Sequence, residues 1–230
     1  MSMLAALGWS TLASAALLLG ALLAFRRRPS GALLGRVMGF GAGALLAALA
    51  YDLVPAGSEV DAILWLGLGA IVFFLLDRKV TGRTKGGGGK SIMLGALFDG
   101  LPESLVLGIS IATGGGISVA FLAAVLVSNL PEGMAASIDL RDDGRSRRYI
   151  YRVWVIIVAV CGVAGAVGYG VAQLLPEADG RLLEGFAAGA VLTMLGSAMI
   201  PESFERGGKT VGLAMAIGFA VTALLAAAEG

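Results

Sequence analysis

Two carboxylates lie within long apolar stretches of the chain, in similar local settings. Glu103 follows a proline in Asp99-Gly-Leu-Pro-Glu-Ser, and Glu132 follows a proline in Ser128-Asn-Leu-Pro-Glu-Gly. An ionised side chain in such a stretch costs several kcal/mol and usually has a function. Each proline also removes one helical hydrogen bond and so frees a backbone carbonyl. Two acids, an amide and freed carbonyls in hydrocarbon predict a cation site.

The spacing within the two motifs brings their polar side chains together. Asp99 and Glu103 are four residues apart, so they share one face of a helix, and Ser128 and Glu132 have the same spacing. If the two helices pack side by side, Asp99, Glu103, Asn129 and Glu132 form one cluster. Adjacent carboxylates in a low dielectric repel each other, so some must be protonated unless a cation is bound. Oxygen ligands suit hard divalent ions and are also accepted by zinc.

The composition indicates an integral membrane protein. The 230 residues are 57% hydrophobic and only 14% charged, whereas about 25% charged residues is typical of a soluble domain. The chain has no histidine, so the commonest metal ligand is missing. The single cysteine, Cys161, lies in an apolar run and excludes an intrachain disulfide. We expect no nucleic-acid partner.

The apolar runs predict an all-α integral membrane protein with eight transmembrane helices. A helix needs about 20 mostly apolar residues to cross a bilayer. The whole chain, 1–230, is expected to form one transmembrane domain, with a flexible loop at about 78–90 that is rich in glycine and basic residues. The predicted spans are 4–25, 33–54, 61–77, 91–113, 116–138, 149–174, 182–202 and 209–228.

The basic residues predict the orientation of these spans. Every lysine and arginine except Arg181 lies in or beside the loops after the first, third, fifth and seventh spans. Because such loops stay in the cytoplasm, both termini are expected outside it. No basic segment precedes the first apolar run, so the first helix is expected to be retained rather than cleaved. We therefore predict a multi-pass protein of the inner (cell) membrane, surrounded by lipid bilayer, whose 78–90 loop is cytoplasmic.

The second and seventh spans resemble each other in sequence. Residues 40–55 align with 186–201 at a constant offset of 146, and the residues that recur are Phe40, Ala42, Gly43, Ala44, Leu46, Leu49 and Pro55. These spans run in opposite directions, as do the fourth and fifth spans, which carry the Leu-Pro-Glu motifs. Chance similarity between two Ala/Gly/Leu-rich helices is the alternative explanation. Inverted repeats with proline-interrupted helices near the midplane are typical of transporter substrate sites.

Two further acids lie near the ends of predicted spans. Asp52 is near the outer end of the second span, and Glu202 is near the inner end of the seventh. Either residue could simply lie at the membrane interface. Alternatively, the two acids form the mouth and the exit of a cation pathway.

At its two proline–glutamate motifs the chain resembles the ZIP (Zrt/Irt-like) family of divalent metal transporters. The resemblance extends to the eight spans, the basic linker after the third span and the segment 199–205 of the seventh. It implies a ZIP-like fold and a metal site between the fourth and fifth spans. In that site Glu103 and Glu132 match the two glutamates of the family, and Ser128 and Asn129 match its polar pair.

The fourth span departs from the family's His-Asn-x-x-Glu-Gly pattern. Asp99 stands where the histidine ligand would be, and Gly100 stands where the asparagine would be. A carboxylate in place of imidazole adds negative charge and hardens the ligand set, which suggests selectivity extended from zinc toward manganese or iron. No acid between Tyr151 and Leu175 matches the further carboxylate ligands of the family's sixth span.

The resemblance implies transport of a divalent metal ion, zinc first, toward the cytoplasm by a homodimer. The metal ion is then the substrate, and no organic cofactor is expected. Two alternatives stay open: an intramembrane enzyme with Asp99 and Glu103 as an acid–base pair, and a transport-inactive metal-binding membrane protein. The absence of histidine, of a basic residue within the motif-bearing spans and of a clear nucleophile argues against the enzyme.

Overall fold

The computed structural model describes residues 1–54, 60–81, 89–114, 117–175 and 180–229. Within these ranges the regular structure is helical, and eight helical spans are long and apolar enough to cross a membrane. The prediction of an all-α chain with eight candidate membrane spans is therefore confirmed for the described residues. The central part of the predicted 78–90 loop lies outside the described residues.

The helices of the described ranges agree closely with the predicted spans. They are α1 (Met3–Arg26), α2 (Gly31–Ala48), α3 (Val60–Thr81), α4 (Gly89–Thr113), α5 (Val119–Asp142), α6 (Arg147–Leu174), α7 (Gly180–Met194), α8 (Ile200–Gly207) and α9 (Thr210–Glu229). A π-helical turn, Leu49–Leu53, extends α2, and a second one, Leu195–Met199, joins α7 to α8. The second span is thus Gly31–Leu53, and the seventh is Gly180–Gly207. The seventh span continues past its predicted end at residue 202.

Serine caps begin four of the spans. The side chains of Ser2, Ser30, Ser118 and Ser146 each accept a hydrogen bond from the backbone N–H three residues later. Such a cap satisfies one of the N–H groups that have no partner in the first helical turn. Ser30 and Ser146 also end the short connections from α1 to α2 and from α5 to α6.

The helices continue through both motif prolines. Pro102 lies inside α4 and Pro131 inside α5, so these helices are not interrupted as the sequence suggested. Each proline still removes one backbone N–H donor from its helix. The hydroxyl of Ser104 donates to the carbonyl of Gly100 at 2.8 Å within this part of α4.

Four helices form a bundle, and two helix pairs flank it. In the bundle α6 packs against α1 and α4, and α1 also packs against α5. The flanking pairs are α2 with α9 and α3 with α7; α2 contacts α5, and α7 contacts α4. The motif-bearing helix α4 packs mainly against α6, and α5 packs mainly against α1. Side-by-side packing of α4 and α5 therefore describes only part of their surroundings.

Glycines bring the flanking helices into close backbone contact. A Cβ atom on Gly43 of α2 would lie 1.9 Å from the carbonyl oxygen of Met215, and one on Gly189 of α7 would lie 2.0 Å from that of Leu66. Real atoms never approach so closely, so only glycine fits at these two positions. Gly43 and Gly189 correspond at the 146-residue offset of the sequence alignment.

A second set of contacts repeats the same register. A Cβ atom on Gly69 of α3 would lie 1.9 Å from the carbonyl oxygen of Phe186, and one on Gly218 of α9 would lie 2.0 Å from that of Phe40. The two π-helical turns also begin 146 residues apart, at Leu49 and Leu195 in their helices. The α2–α9 and α3–α7 pairs thus share one pattern of contacts.

Polar contacts join the spans at both ends of the molecule. At the end that carries the basic loops, called here the basic face, Arg28 forms an ion pair with Asp142 of α5. At the other end, called here the opposite face, the hydroxyl of Thr113 donates to Glu184 of α7 at 2.9 Å. The end of α1 and the end of α5 therefore lie at the basic face, whereas the end of α4 and the start of α7 lie at the opposite face.

Candidate cation site

Glu103 and Glu132 lie near the middle of α4 and α5 and are only 2% and 7% exposed. In the described part of the chain, Oε2 of Glu103 and Oε1 of Glu132 have no hydrogen-bond partner. A buried polar atom without a partner costs about 1–3 kcal/mol, and a charged group costs more. These two carboxylate oxygens are therefore suited to an electropositive ligand.

Asn129 supplies a third oxygen of this kind. Its Oδ1 atom is buried and is without a partner among the described residues. Its Nδ2 group donates to the carbonyl of Ala13 in α1 at 3.2 Å, and the side chain also interacts favourably with Glu103. Because these contacts occupy the amide donor, the carbonyl oxygen is left for a ligand. Asn129 connects three helices of the bundle at the level of the two glutamates.

Asp99 adds a further negative charge beside this group. It is half-buried on α4, and its charge and that of Glu103 both act on Glu132. Carboxylates this close in a low dielectric repel one another. A divalent cation bound by Glu103 and Glu132 would reduce the repulsion and supply the partner that their unpaired oxygens lack.

The hydroxyl of Ser128 already has a hydrogen-bond partner within its own helix. It donates to the carbonyl of Val125 at 3.0 Å, and a Cβ atom on Gly41 of α2 would lie 2.7 Å from the Cα atom of Ser128. The residue therefore lies at a close backbone approach of α5 to α2. Its participation in a cation shell stays a prediction.

The site has fewer charged side chains than a metal site formed entirely by protein ligands. No three Cys, Asp or Glu side chains in the described ranges are grouped closely enough to hold a metal ion between them. The structure instead combines the unpaired oxygens of Glu103, Asn129 and Glu132, with Asp99 next to them. A cation bound here would take two carboxylates from two helices and complete its shell with neutral oxygens.

A cavity of about 620 Å³ extends from these acids toward the basic face. Asp99 and Glu132 line its deep end. Its mouth is lined from α5 and α8 by Asp139, Glu202 and Arg206, which lie closer to the helix ends at the basic face. Glu202, which the sequence suggests as part of a cation pathway, therefore lines the same cavity as Asp99 and Glu132.

Asp139 and Arg206 line the cavity although neither belongs to the two sequence motifs. Arg206 forms an ion pair with Asp139, and its Nε donates to Glu202 at 2.9 Å. Asp139 follows Glu132 by seven residues, which places it two turns along on the same helix face. This seven-residue spacing is the sequence feature that could have indicated Asp139 as a cavity residue. The apolar run of the seventh span ends before Arg206, so hydropathy alone assigns this residue to the following loop.

Asp52 lies at the opposite face and does not line this cavity. It accepts a hydrogen bond from the hydroxyl of Ser118, the residue that caps α5. Between this contact and the buried glutamates lies a cluster of buried apolar side chains that includes Leu45, Val106 and Phe121. The candidate site is thus accessible from the basic face and covered by apolar side chains toward the opposite face.

A comparison of the chain with protein-family models gives no match, and a comparison with curated proteins gives none either. The resemblance described above therefore depends on the two proline–glutamate motifs and on the arrangement of spans around them. The structure adds the cavity and the unpaired oxygens to which these motifs contribute.

Proposed function

We propose that the protein is a ZIP-like transporter that carries divalent metal cations across the inner membrane toward the cytoplasm. The observation that carries this proposal is the set of three unpaired buried oxygens, on Glu103, Asn129 and Glu132, beside an acid-lined cavity. Zinc is the first candidate substrate because of the family resemblance. Manganese and iron follow because every side-chain donor in the set is an oxygen.

The shape of the cavity supports release toward the cytoplasm. The cavity is accessible from the basic face, and basic loops stay in the cytoplasm. Apolar side chains cover the other side of the site. In this arrangement a cation bound by Glu103 and Glu132 would leave past Asp139 and Glu202.

The packing supports a repeat in which the halves of the chain have inverted orientation. The π-helical turns and the glycine contacts of α2–α9 and α3–α7 recur at matching positions. Such repeats in transporters allow one bundle to rock against another around a central site. We infer that α1, α4, α5 and α6 move against the two flanking pairs. The resemblance further suggests a homodimer.

The test is uptake into proteoliposomes that contain the purified protein. Glu103→Gln and Glu132→Gln each remove a charged ligand while keeping the shape of the side chain, and each is expected to abolish uptake of zinc, manganese and iron. Glu184→Gln, an equal change at the opposite face outside the cavity, is the matched control and should retain uptake. Normal uptake in both glutamate variants would contradict the proposal.

Binding measurements separate transport from the alternatives. A wild-type protein that binds divalent cations without flux would be a transport-inactive metal-binding protein. Conversion of a lipid or small-molecule substrate that depends on Asp99 and Glu103 would indicate an intramembrane enzyme. Binding together with flux would support the transporter.

A further inference from the structure

The mouth of the cavity contains a positive charge among several negative ones. Among the described residues that line the cavity, Arg206 is the single basic residue, whereas the acidic ones are Asp99, Glu132, Asp139, Glu202 and Glu205. The Arg206 side chain is only 21% exposed. An arginine held in this position acts on any cation that passes through the mouth.

The guanidinium group of Arg206 is bound from two helices. Its Nη2 atom pairs with Asp139 of α5, and its Nε atom donates to Glu202 of α8 at 2.9 Å. Two carboxylates that converge on one positive group form a cation site. Here a side chain of the protein fills that site.

A separate observation places the two acids Asp139 and Glu202 on the route of an ion that leaves Glu132. Glu132 lines the same cavity two helical turns before Asp139, is 7% exposed, and has an unpaired Oε1. A cation that leaves Glu132 through the cavity therefore meets Asp139 and Glu202 next. If these two acids were free, they would hold a divalent ion at the mouth.

We propose that Arg206 is a tethered counter-cation that occupies a second carboxylate site, formed by Asp139 and Glu202, at the mouth of the cavity. By filling this site, the guanidinium group prevents the mouth from retaining a divalent cation that has left Glu132. The inference rests on the proposed function for the identity of the passing ion. The arrangement of charges at the mouth does not depend on that identity.

Removal of the guanidinium group tests the proposal through the number of bound ions. Zinc and manganese binding to the purified full chain would be measured by calorimetry and by metal analysis after gel filtration. The wild-type protein is expected to bind one ion and Arg206→Gln two. Arg206→Gln combined with Glu202→Gln should return to one. Arg28→Gln, which breaks an ion pair at the basic face outside the cavity, should leave the number at one.

A chemical modification tests the same point on one folded sample. Cys161 is the single cysteine of the chain and is buried, so a reagent would modify Arg206→Cys at the introduced thiol. This variant should bind two ions. Attachment of a methanethiosulfonate reagent that carries an ammonium group should reduce the number to one, and attachment of a neutral methyl reagent should leave it at two.

The outcomes separate this inference from the proposed function. One ion bound by wild type, Arg206→Gln and unmodified Arg206→Cys alike would overturn the role of Arg206 while leaving the deeper site intact. No ion bound by wild type, but one bound by Arg206→Gln, would contradict the proposed function and support the counter-cation. Equal effects of the charged and neutral reagents would also overturn the inference.

Discussion

Asn129 uses the two ends of its amide group for different purposes. The nitrogen donates to Ala13 of α1, while the oxygen has no partner among the described residues. The same side chain also interacts with Glu103 across the α4–α5 contact. Asn129 thus fixes the position of a carboxylate and offers an oxygen of its own.

We expect Asn129→Ala to weaken binding of zinc and manganese by about tenfold or more, because it removes a ligand and the contact that orients Glu103. Ser137→Ala is the matched control: it also removes a buried hydrogen bond from α5, the one that Trp154 Nε1 donates at 2.8 Å. The control should cost about 1 kcal/mol of stability with unchanged metal affinity. Equal loss of affinity in both variants would show that Asn129 has only a structural role.

Replacing Asp99 with histidine tests the effect of ligand hardness. Imidazole is neutral and suits zinc better than manganese. We expect Asp99→His to raise the ratio of zinc to manganese affinity by about tenfold, measured by competition between the two ions. Asp99→Asn, which removes the charge without adding imidazole, should weaken binding of both ions to a similar extent. The same ratio in both variants would place Asp99 outside the ligand shell.

The sequence could indicate these residues because their signals are local. Glu103, Asn129 and Glu132 lie in two short motifs within apolar runs, and in the structure Glu103 interacts with both of the other side chains. Arg206 could not be found in this way, since its position depends on how far the seventh span continues and on Asp139 of another helix. Local composition carries neither kind of information.

At the scale of elements, the bilayer makes span lengths predictable. Each predicted span agrees with its helix to within a few residues, apart from the end of the seventh span. The π-helical turns could not be predicted because they depend on a local change in hydrogen-bond register rather than on hydropathy. The contacts of the helix pairs depend on which glycine meets which carbonyl across the pair.

Alanine substitutions test whether the two helix pairs are equivalent. Gly43→Ala and Gly189→Ala would each push a Cβ atom into a backbone carbonyl, so each is expected to lower stability by about 1–3 kcal/mol. Gly67→Ala, a position with no neighbouring atom within 4 Å of the added Cβ, should be neutral or stabilising. Thermal unfolding in detergent measures all three. Unequal losses for Gly43 and Gly189 would argue against a repeated packing unit.

At the scale of the whole molecule, the main feature is that the candidate site is accessible from one face. The acid-lined cavity reaches Glu132 from the basic face, and the buried apolar cluster separates that residue from the opposite face. The cavity could not be predicted because it is formed by segments of α4, α5 and the seventh span that are far apart in sequence. The face from which the site is accessible becomes evident only once these segments are packed together in the fold.

Cysteine labelling tests this one-sided access and the orientation in the membrane. Ala198→Cys introduces a thiol into the lining of the cavity, and we expect a membrane-impermeant maleimide to modify it from the cytoplasmic side. Val119→Cys lies at the opposite face at a residue that is 60% exposed, so it should react from the outside. The wild-type chain, whose Cys161 is buried, should not react. The reverse pattern would invert the proposed orientation.

The π-helical turn before α8 determines which way the side chains of α8 point around the helix axis. Each residue added to or removed from a helix rotates everything after it by about 100°, and Leu195–Met199 immediately precedes the helix that carries Glu202 and Arg206. Loss of one residue from this turn would turn both side chains away from Asp139 without altering the α3–α7 glycine contacts that precede it. Relatives of this chain could therefore gain or lose a charged exit by a single insertion or deletion, with the deeper site unchanged.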